Sequence, residues 1–386
     1  MSKVSVIIPA FNAERFIQEA LESVFQQTFR DVEVVVVNDG STDGTCQAVQ
    51  PYLSRIVYVE QENKKLPTAR NAGAAASSGE YLAFLDADDC FLPEKLAQQV
   101  AYLDAHPAVG LVASGYDYVD ADGSFLRRVE SWRQGDQITL LSLLRGGLTA
   151  VHAVLMRREW FERVGGFDPA FAHCEDMDFW YRLGLANCPM AWLPQIVCQY
   201  RMHGQNMTAR VEPQFKYYFQ ALDNVFQRAD LPAEVQQVKD PLYAAHLLAA
   251  AGHFYLAGDY VTGQRYIENA LERHPDLRAE KQSDLLGLLA GWLRLPRVAD
   301  RETFLNTVIQ HLPSSLDQPA FPQRLRKTAA RQAFYDAHAS SPRSPRIARY
   351  WMSILRREPA WLFNRGGWSI LFQSLGLKKG VVEWKR

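Results

Sequence analysis

Apolar and polar positions along this chain follow two alternating periods, which predict strands and helices in turn. Near-continuous β-branched runs at 3–9 and 32–37 are typical of strands buried on both faces of a sheet. Between them, 13–27 carries apolar residues at three- and four-residue intervals, which predicts a helix packed on that sheet. The alternation continues with a helix after 41, strand 56–59, helix 66–76, strand 81–85, helix 93–103, strands 109–118 and 151–157, and helices 158–164 and 175–185. This order predicts a right-handed, doubly wound α/β sheet, which binds ligands at the carboxyl ends of its strands.

Near residue 212 the pattern changes to long stretches of 3.6-residue period that are rich in Ala, Leu, Gln and Arg. Since 386 residues exceed the usual size of one domain, we predict an α/β domain over 1–212 and an all-α domain over 213–386. Within the second, 258–275 has the spacing of one tetratricopeptide helix pair. Stacked repeats need about three copies, so an ordinary helical bundle is the alternative.

Composition and charge narrow the function classes. The chain is 48% apolar and 22% charged, as in globular proteins, and its net charge of -1 indicates no nucleic-acid partner. Five cysteines without a CxxC pair or regular spacing favour a reducing compartment. The first apolar run is too short for a secretory signal, and no stretch of about 18 apolar residues occurs. We therefore expect a cytoplasmic protein.

The last part of the chain, 343–386, is basic and aromatic. It combines Arg and Lys with Trp351, Trp361, Phe363, Trp368, Phe372 and Trp384. Such a mixture can lie along an anionic membrane surface, which would make the protein peripheral at the inner membrane face. Packing inside a helical domain is the alternative interpretation.

Three acids follow the predicted strand 81–85 directly, in the order Asp86-Ala87-Asp88-Asp89. Alternate residues of an extended chain point the same way, so Asp86 and Asp88 can share a face while Ala87 leaves room for a bulky ligand. Carboxylates suit Mg²⁺ or Mn²⁺, which keep few protein ligands and bind phosphate oxygens and water. Taken alone, the cluster is equally compatible with a solvated turn.

Two other predicted strands end in polar or aromatic residues at what should be the same edge of the sheet. In VVVVNDGSTD, from residue 34, Gly40 permits a tight turn and Asp39 can bond to a base or a ribose. The first strand ends in Pro9-Ala10-Phe11-Asn12. Three such strand ends at one edge predict a nucleotide cleft.

Four segments in order, VSVIIPAFNAERFI, VVVVNDGSTDGT, QENKKLPTARNAGAAASSGEYLAFLDADD and CEDMDFWYRL, resemble the family 2 glycosyltransferases of the GT-A fold. The resemblance covers about 200 residues. It implies a nucleotide-diphospho-sugar transferase domain and an inverting transfer from a nucleotide sugar, such as a UDP-sugar, to an acceptor hydroxyl in polysaccharide or glycoconjugate synthesis. The donor-binding residues that it implies are Pro9, Ala10, Phe11, Asn12, Asp39, Arg70, Asp86 and Ala87.

The same resemblance implies a metal site and a general base. Asp88 would bind the Mn²⁺ or Mg²⁺ that bridges the diphosphate, and His203 in YRMHGQN would add a ligand, although a lone histidine is more often a packing residue. Asp176, in CEDMD, is the candidate base because the acceptor hydroxyl must lose a proton as it attacks. Glu175 and Asp178 belong to the same acid motif, and the alternative is that they only provide negative charge in the first turn of the helix, where it favours the helix dipole.

Two further function classes compete with a glycosyltransferase. A sugar nucleotidyltransferase uses the same sheet and metal chemistry, but the first strand here lacks the glycine-rich basic loop that holds a triphosphate. A nucleotide-binding protein that docks a partner is the other class, although all the expected acids are present. Ala10 and the stretch 64–67 depart from the family pattern, which leaves the donor open.

Overall fold

The structure is a computed structural model of the chain, and it describes residues 2–204, 206–207, 211–278, 283–295, 298–316, 320–340 and 346–358 with positions 361, 364, 367, 370, 371 and 374. The chain divides into two compact units between Val235 and Gln236. The boundary predicted near 212 falls inside helix Val211–Phe226, which packs on helix Glu175–Leu185 of the first unit. That packing places the division further along the chain.

The first unit contains a nine-stranded sheet. Its strands are β1 Val4–Ala10, β2 Val32–Asp39, β3 Val57–Gln61, β4 Tyr81–Phe84, β5 Cys90–Phe91, β6 Leu111–Val119, β7 Phe125–Val129, β8 Val154–Arg157 and β9 Met190–Arg201. β3, β2, β1 and β4 lie side by side and parallel. β8 is antiparallel to β4 and to β6, and β9 runs parallel to β6. The predicted α/β architecture is confirmed, but the sheet is mixed beyond β4.

Helices cover both faces of this sheet. The helices of the first unit are α1 Ile17–Phe25, α2 Thr45–Val49, α3 Leu66–Ala75, α4 Lys95–Ala105, α5 Leu140–Gly146, α6 Arg158–Arg163, α7 Glu175–Leu185 and α8 Val211–Phe226. The short helix α9 Ala233–Gln237 contains the division between the two units. In β2, Val34 and Val36 pack into the core formed with α1 and α4, whereas Val35 and Val37 pack against Ala69 of α3. Successive side chains of a strand point to opposite faces, so both faces of β2 must be apolar. This explains the continuous valine run.

The longest strand, β9, was not predicted from the sequence. Pro194 interrupts its apolar pattern, and a proline cannot donate a ladder hydrogen bond. The pairing with β6 shifts register at this point, because Ala113 pairs with Trp192 while Gly115 pairs with Ile196. A bulge therefore accommodates the proline. β9 matters for the site because it ends at Arg201, close to His203.

A lysine lies in the core under the middle of the sheet. Lys95 of α4 is fully buried, and its ammonium donates to the Gln99 side chain and to the carbonyl oxygen of Val154, at 3.1 Å. Gln99 also donates to the carbonyl oxygen of Ala153, at 2.9 Å. Burial lowers the pKa of Lys95 to about 7. These bonds tie α4 to the 3₁₀ turn Val151–Ala153 and to the start of β8.

Lys95→Met is expected to remove a pH dependence of stability. A free lysine titrates near 10.5, so between about pH 7 and that value the unfolded chain binds one more proton than the folded chain. The free energy of unfolding of the wild type should therefore rise with pH by up to about 1.4 kcal/mol per unit, relative to the variant. Urea unfolding at pH 7, 8 and 9 measures this. Lys64→Met, at an exposed lysine, is the control, and parallel profiles for wild type and Lys95→Met would contradict the prediction.

The second unit is helical throughout its described residues, as predicted. Its helices are α10 Lys239–Leu256, α11 Tyr260–Arg273, α12 Ser283–Gly291, α13 Arg301–Gln310, α14 Phe321–Ser340 and α15 Arg346–Arg357. α10 and α11 pack as a pair joined through Gly258, whose φ of +84° favours glycine. Gly263 of α11 lies against Tyr255, where a Cβ would approach the ring to 2.4 Å. The tetratricopeptide assignment stays a prediction.

The basic and aromatic C-terminal segment contributes to a hydrophobic cluster. Trp351 and Trp361 are buried there with Phe334 and Leu371, which covers the apolar face of α15. The exposed side of α15 carries Arg349, Met352 and Arg356. Phe363, Trp368, Phe372 and Trp384 lie outside the described residues. Membrane contact stays a prediction, and within the described ranges no helix combines the length and the hydropathy that crossing a bilayer requires.

Candidate active site

Three strands end along one edge of the sheet, as the sequence predicts. Ala10 pairs with Asn38 and Ile7 pairs with Phe84, so the segments after β1, β2 and β4 leave the sheet side by side. Just beyond β1, Phe11 is 51% exposed. An exposed ring at the carboxyl edge of a parallel sheet can stack on a planar ligand.

The segments that follow β1 and β2 are bonded to each other. Asn12 has a φ of +50°, and its Oδ1 accepts from the main-chain N–H of Thr42 at 2.8 Å. The Asn12 N–H donates to Ser41 Oγ at 3.0 Å. Asn12 therefore shapes this end of the cleft by holding the two segments together.

Three predicted donor-binding residues do not offer a side chain to the cleft. Ala10 and Ala87 are buried in the hydrophobic core, and Pro9 is also buried. The methyl group of Ala87 packs inside the protein, and its role in donor binding stays a prediction. Only the main chain of these residues can contact a ligand at the edge.

Asp39 is buried at the end of β2. Its Oδ1 accepts from Gln61 Nε2 at 2.7 Å and from the N–H of Lys64 at 2.8 Å. Gly40 follows with a φ of +74°, and a Cβ there would come within 2.8 Å of the Asn63 nitrogen. Asp39 thus fixes the segment between β3 and α3 with one oxygen. The structure places it at the predicted edge, but its described contacts do not join it to the acids discussed next.

Arg70 connects three elements at the centre of the site. Its side chain is only 2% exposed, and Nη2 lies 2.6 Å from Asp86 Oδ1 while Nη1 lies 2.5 Å from Glu175 Oε1. Asp86 follows β4, Arg70 belongs to α3 and Glu175 begins α7. A guanidinium carries its donors in a fixed fork, so it can hold two carboxylates at defined positions. The charge of Asp176 also acts on Arg70.

Glu175 and Asp176 form the first turn of α7. The preceding residue, Cys174, has a left-handed φ of +56°, which is uncommon outside glycine and often marks functional sites. Burial raises the pKa of Glu175 to about 7, the charges of Asp176 and Asp86 act the same way, and Arg70 opposes them. Burial also raises the pKa of Asp176, again against Arg70. Asp176 is half-buried at this point, beside the Arg70 bridge.

Asp88 and His203 meet as the predicted metal ligands. Asp88 Oδ2 lies 2.8 Å from His203 Nε2, and their side chains are 28% and 12% exposed. Two neighbouring ligands of one octahedral ion, each bound at about 2.1 Å, lie about 3 Å apart. The His203 ring stacks on Phe16 with a centroid distance of 5.1 Å, and Asn206 Oδ1 accepts from the His203 N–H at 2.5 Å. This donor set and its partial exposure fit Mn²⁺ or Mg²⁺ that also binds phosphate oxygens and water.

A second group of possible ligands, Asp86, Asp89 and His152, has donor atoms within 4.8 Å of one another. Asp89 and His152 are fully buried, however, and Asp89 already accepts from the N–H of Arg201 at 2.7 Å. The burial of these two groups is unfavourable for Mg²⁺ or Mn²⁺, which usually keep water and phosphate oxygens as ligands. We therefore assign the buried pair to the framework of the site. No local sequence motif marks His152 as part of the site.

Two other residues of α7 have structural contacts. Asp178 is buried and pairs with Arg182, one helical turn later, at 2.8 Å. Trp180 is buried and packs beside Phe179. Glu175, by contrast, does more than favour the helix dipole because it is bonded to Arg70.

Comparisons with known proteins bear on the first unit. Residues 5–165 match the model of the family described as Glycosyl transferase family 2. An uncharacterized glycosyltransferase of Rickettsia felis is 31% identical over 215 residues, which cover 54% of this chain and 35% of that protein. The glycosyltransferase GlyA of Streptococcus pneumoniae is 38% identical over 129 residues, 32% of this chain and 18% of that protein. The chain thus spans about a third or less of the length of these relatives.

Two solved structures are similar in fold. S. aureus TarS 1-349 in complex with UDP-GlcNAc has a TM-score of 0.51 and 18% identity, and the match covers 92% of each chain. The mannosyltransferase PcManGT of Pyrobaculum calidifontis, in complex with GDP-Man and Mn²⁺, has a TM-score of 0.51 and 20% identity over 80% of this chain and 87% of that one. At these identities the likeness shows the GT-A fold alone. Residues 5–165 therefore match the glycosyl transferase family 2 model in sequence, and the chain shares the GT-A fold of these two structures.

Proposed function

We propose that this protein transfers a sugar from a nucleoside diphosphate sugar to an acceptor hydroxyl, with inversion at the anomeric carbon. The observation that carries the proposal is the Arg70 bridge, which holds Asp86 and the Glu175–Asp176 turn together at the strand edge that also bears Asp88 and His203. Such a site can bind a diphosphate on one side and accept a proton on the other. We further propose that the acceptor belongs to a polysaccharide or a glycoconjugate.

Donor binding is assigned to the carboxyl edge of the sheet. The exposed Phe11 ring can stack on the base, and the Asp39 carboxylate can bond to the base through the oxygen that does not hold the 61–64 segment. The main chains of 9–12 and of Ala87 complete this side. Asp86, oriented by Arg70, lies where it can accept from a ribose or sugar hydroxyl. TarS and PcManGT were solved with UDP-GlcNAc and GDP-Man, so UDP and GDP are the first nucleotides to test.

Asp88 and His203 are the residues that would hold Mn²⁺ or Mg²⁺. When bound, such an ion neutralises the negative charge that develops on the departing diphosphate. PcManGT was solved with Mn²⁺, which makes this the first ion to test. Phe16 and Asn206 orient His203 towards Asp88 through the contacts described above.

Asp176 is the proposed general base. The acceptor oxygen attacks the anomeric carbon from the side opposite the diphosphate, its proton passes to the Asp176 carboxylate, and the bond to the diphosphate breaks. Because burial raises the pKa of this group, it accepts a proton more readily than an exposed carboxylate does. Arg70 keeps it ionised before the reaction by opposing that shift.

A donor screen tests the proposal. The full chain is incubated with UDP- and GDP-sugars, a saccharide acceptor mixture and Mn²⁺ or Mg²⁺, and nucleoside diphosphate release is measured with and without EDTA. We expect one donor to support release that depends on the ion, with inverted configuration in the product.

Other results of the same screen identify the competing classes. Pyrophosphate exchange with a nucleoside triphosphate would indicate a sugar nucleotidyltransferase. Nucleotide binding without transfer to any acceptor would favour a partner-docking protein. Retained configuration in the product would refute the role of Asp176 in an inverting displacement.

A further inference from the structure

Asp89 has no part in the proposed reaction, yet it lies directly after the proposed metal ligand Asp88. Its side chain is 2% exposed and connects two distant parts of the chain. Oδ1 accepts from the main-chain N–H of Arg201 at 2.7 Å, and Oδ2 lies 3.0 Å from Nδ1 of the fully buried His152. Charged groups are buried in proteins only when such partners compensate for the lost hydration.

Arg201, the last residue of β9, is bonded to the acid turn twice. Its main chain donates to Asp89, and its Nε donates to the carbonyl oxygen of Asp88 at 2.9 Å. The guanidinium also reaches Glu19 of α1 at 2.6 Å. His203 follows only two residues later, so these bonds fix the distance between the two proposed metal ligands, Asp88 and His203.

His152, the second partner of Asp89, lies in a turn that is hydrogen-bonded to α4. His152 belongs to the 3₁₀ turn Val151–Ala153. The carbonyl oxygens of the next two residues, Ala153 and Val154, accept hydrogen bonds from Gln99 and Lys95 of α4. Gln99 Nε2 lies 3.1 Å from Ser114 Oγ of β6. Asp89 is therefore anchored to a buried polar frame on one side and to the end of β9 on the other.

We propose that Asp89 is a positioning residue, which sets the separation of Asp88 and His203 by joining Arg201 to the His152 turn. The proposal rests on the proposed function, because it assigns metal and nucleotide binding to Asp88 and His203. Groups behind metal ligands act in this way generally, and their loss costs about 10- to 100-fold in metal affinity. A ligand pair separated by 115 residues along the chain needs such a connection, since neither ligand's own backbone sets the distance.

The test is a double-mutant cycle read out by metal-dependent nucleotide binding. Asp89→Asn keeps an oxygen to accept from Arg201 but removes the ionic partner of His152. Titration calorimetry with UDP, and with GDP, gives the Mn²⁺ concentration for half-maximal nucleotide binding. We expect Asp89→Asn to raise this concentration about tenfold in the wild-type background and less than about twofold in the His203→Ala background.

Controls separate this role from general destabilisation. Asp117→Asn, at a buried aspartate of β6 that pairs with Arg128, should leave the Mn²⁺ requirement unchanged. Thermal unfolding is measured for every variant, and His152→Gln, which removes only one contact of Asp89, is measured in parallel and should reproduce the tenfold rise.

Two outcomes would overturn the proposal. A tenfold effect of Asp89→Asn that persists in the His203→Ala background would show that Asp89 acts independently, as a direct ligand or through general stability. If Asp89→Asn leaves the Mn²⁺ concentration for half-maximal binding unchanged in the wild-type background, Asp89 is not a positioning residue. If the wild type binds neither nucleotide in a Mn²⁺-dependent manner, the proposed function itself fails, which is a distinct result.

Discussion

Asp176→Asn is expected to lower the rate of sugar transfer by about 10³-fold while the affinity for nucleoside diphosphate changes by less than about twofold. The amide has the size of the carboxylate but cannot accept the acceptor's proton. Nucleotide affinity should be preserved because the assigned donor contacts come from the edge of the sheet and from Asp88 and His203. Initial rates of nucleotide release and titration calorimetry with UDP and GDP measure the two effects.

A matched variant on the same helix controls for local damage. Asp178 lies two residues later, is buried and pairs with Arg182 instead of Arg70. Asp178→Asn should therefore keep the transfer rate within about threefold of the wild type. Transfer at the wild-type rate in Asp176→Asn would contradict the assignment of Asp176 as the base. Equal losses of transfer rate in Asp176→Asn and Asp178→Asn would show that damage to α7 causes the effect.

Arg70→Met is expected to lower the free energy of unfolding by about 3 kcal/mol at neutral pH, and to abolish transfer. Methionine fills most of the space but leaves Glu175 buried and Asp86 partly buried without their common cation. Removing one partner of a buried pair leaves an uncompensated charge, which is the costly case. Urea unfolding of the wild type and the variant measures the difference.

The loss of unfolding free energy in Arg70→Met should increase with pH. Glu175 has a pKa of about 7 in the folded chain against 4.5 for a free glutamate, so the folded chain binds more protons between these values and stability falls as pH rises through that range. Arg70 lowers this pKa, and without it the fall should extend to higher pH. The stability deficit of the variant should then be larger at pH 8 than at pH 5.5.

A second substitution tests the cause of that pH dependence. Glu175→Gln in the Arg70→Met background removes the charge that lacks a partner, so it should recover part of the lost stability and flatten the pH profile. An equal deficit at pH 5.5 and pH 8 in Arg70→Met alone would show that the loss comes from packing instead of charge.

Much of the first unit could be predicted because its signals are local. The apolar runs of β1, β2 and β4 and the 3.6-residue pattern of α1 report burial on both faces or on one face, and the structure has these elements within a few residues. β9 was missed because Pro194 breaks its pattern, and only the bulge against β6 makes that proline acceptable. The boundary predicted near 212 differs from the division between Val235 and Gln236, since composition cannot show that α8 packs on α7.

The sequence by itself determined which acids end which strands, since a strand's length and alternation decide where its last side chains point. Only the tertiary structure decided their partners. Arg70 meets Glu175 across 105 residues and His203 meets Asp88 across 115, while Asp89 joins His152 to Arg201 inside the protein. Ion pairing depends on distances of a few ångströms between elements that are remote in sequence, and those distances follow from how helices and strands pack, which no local pattern encodes.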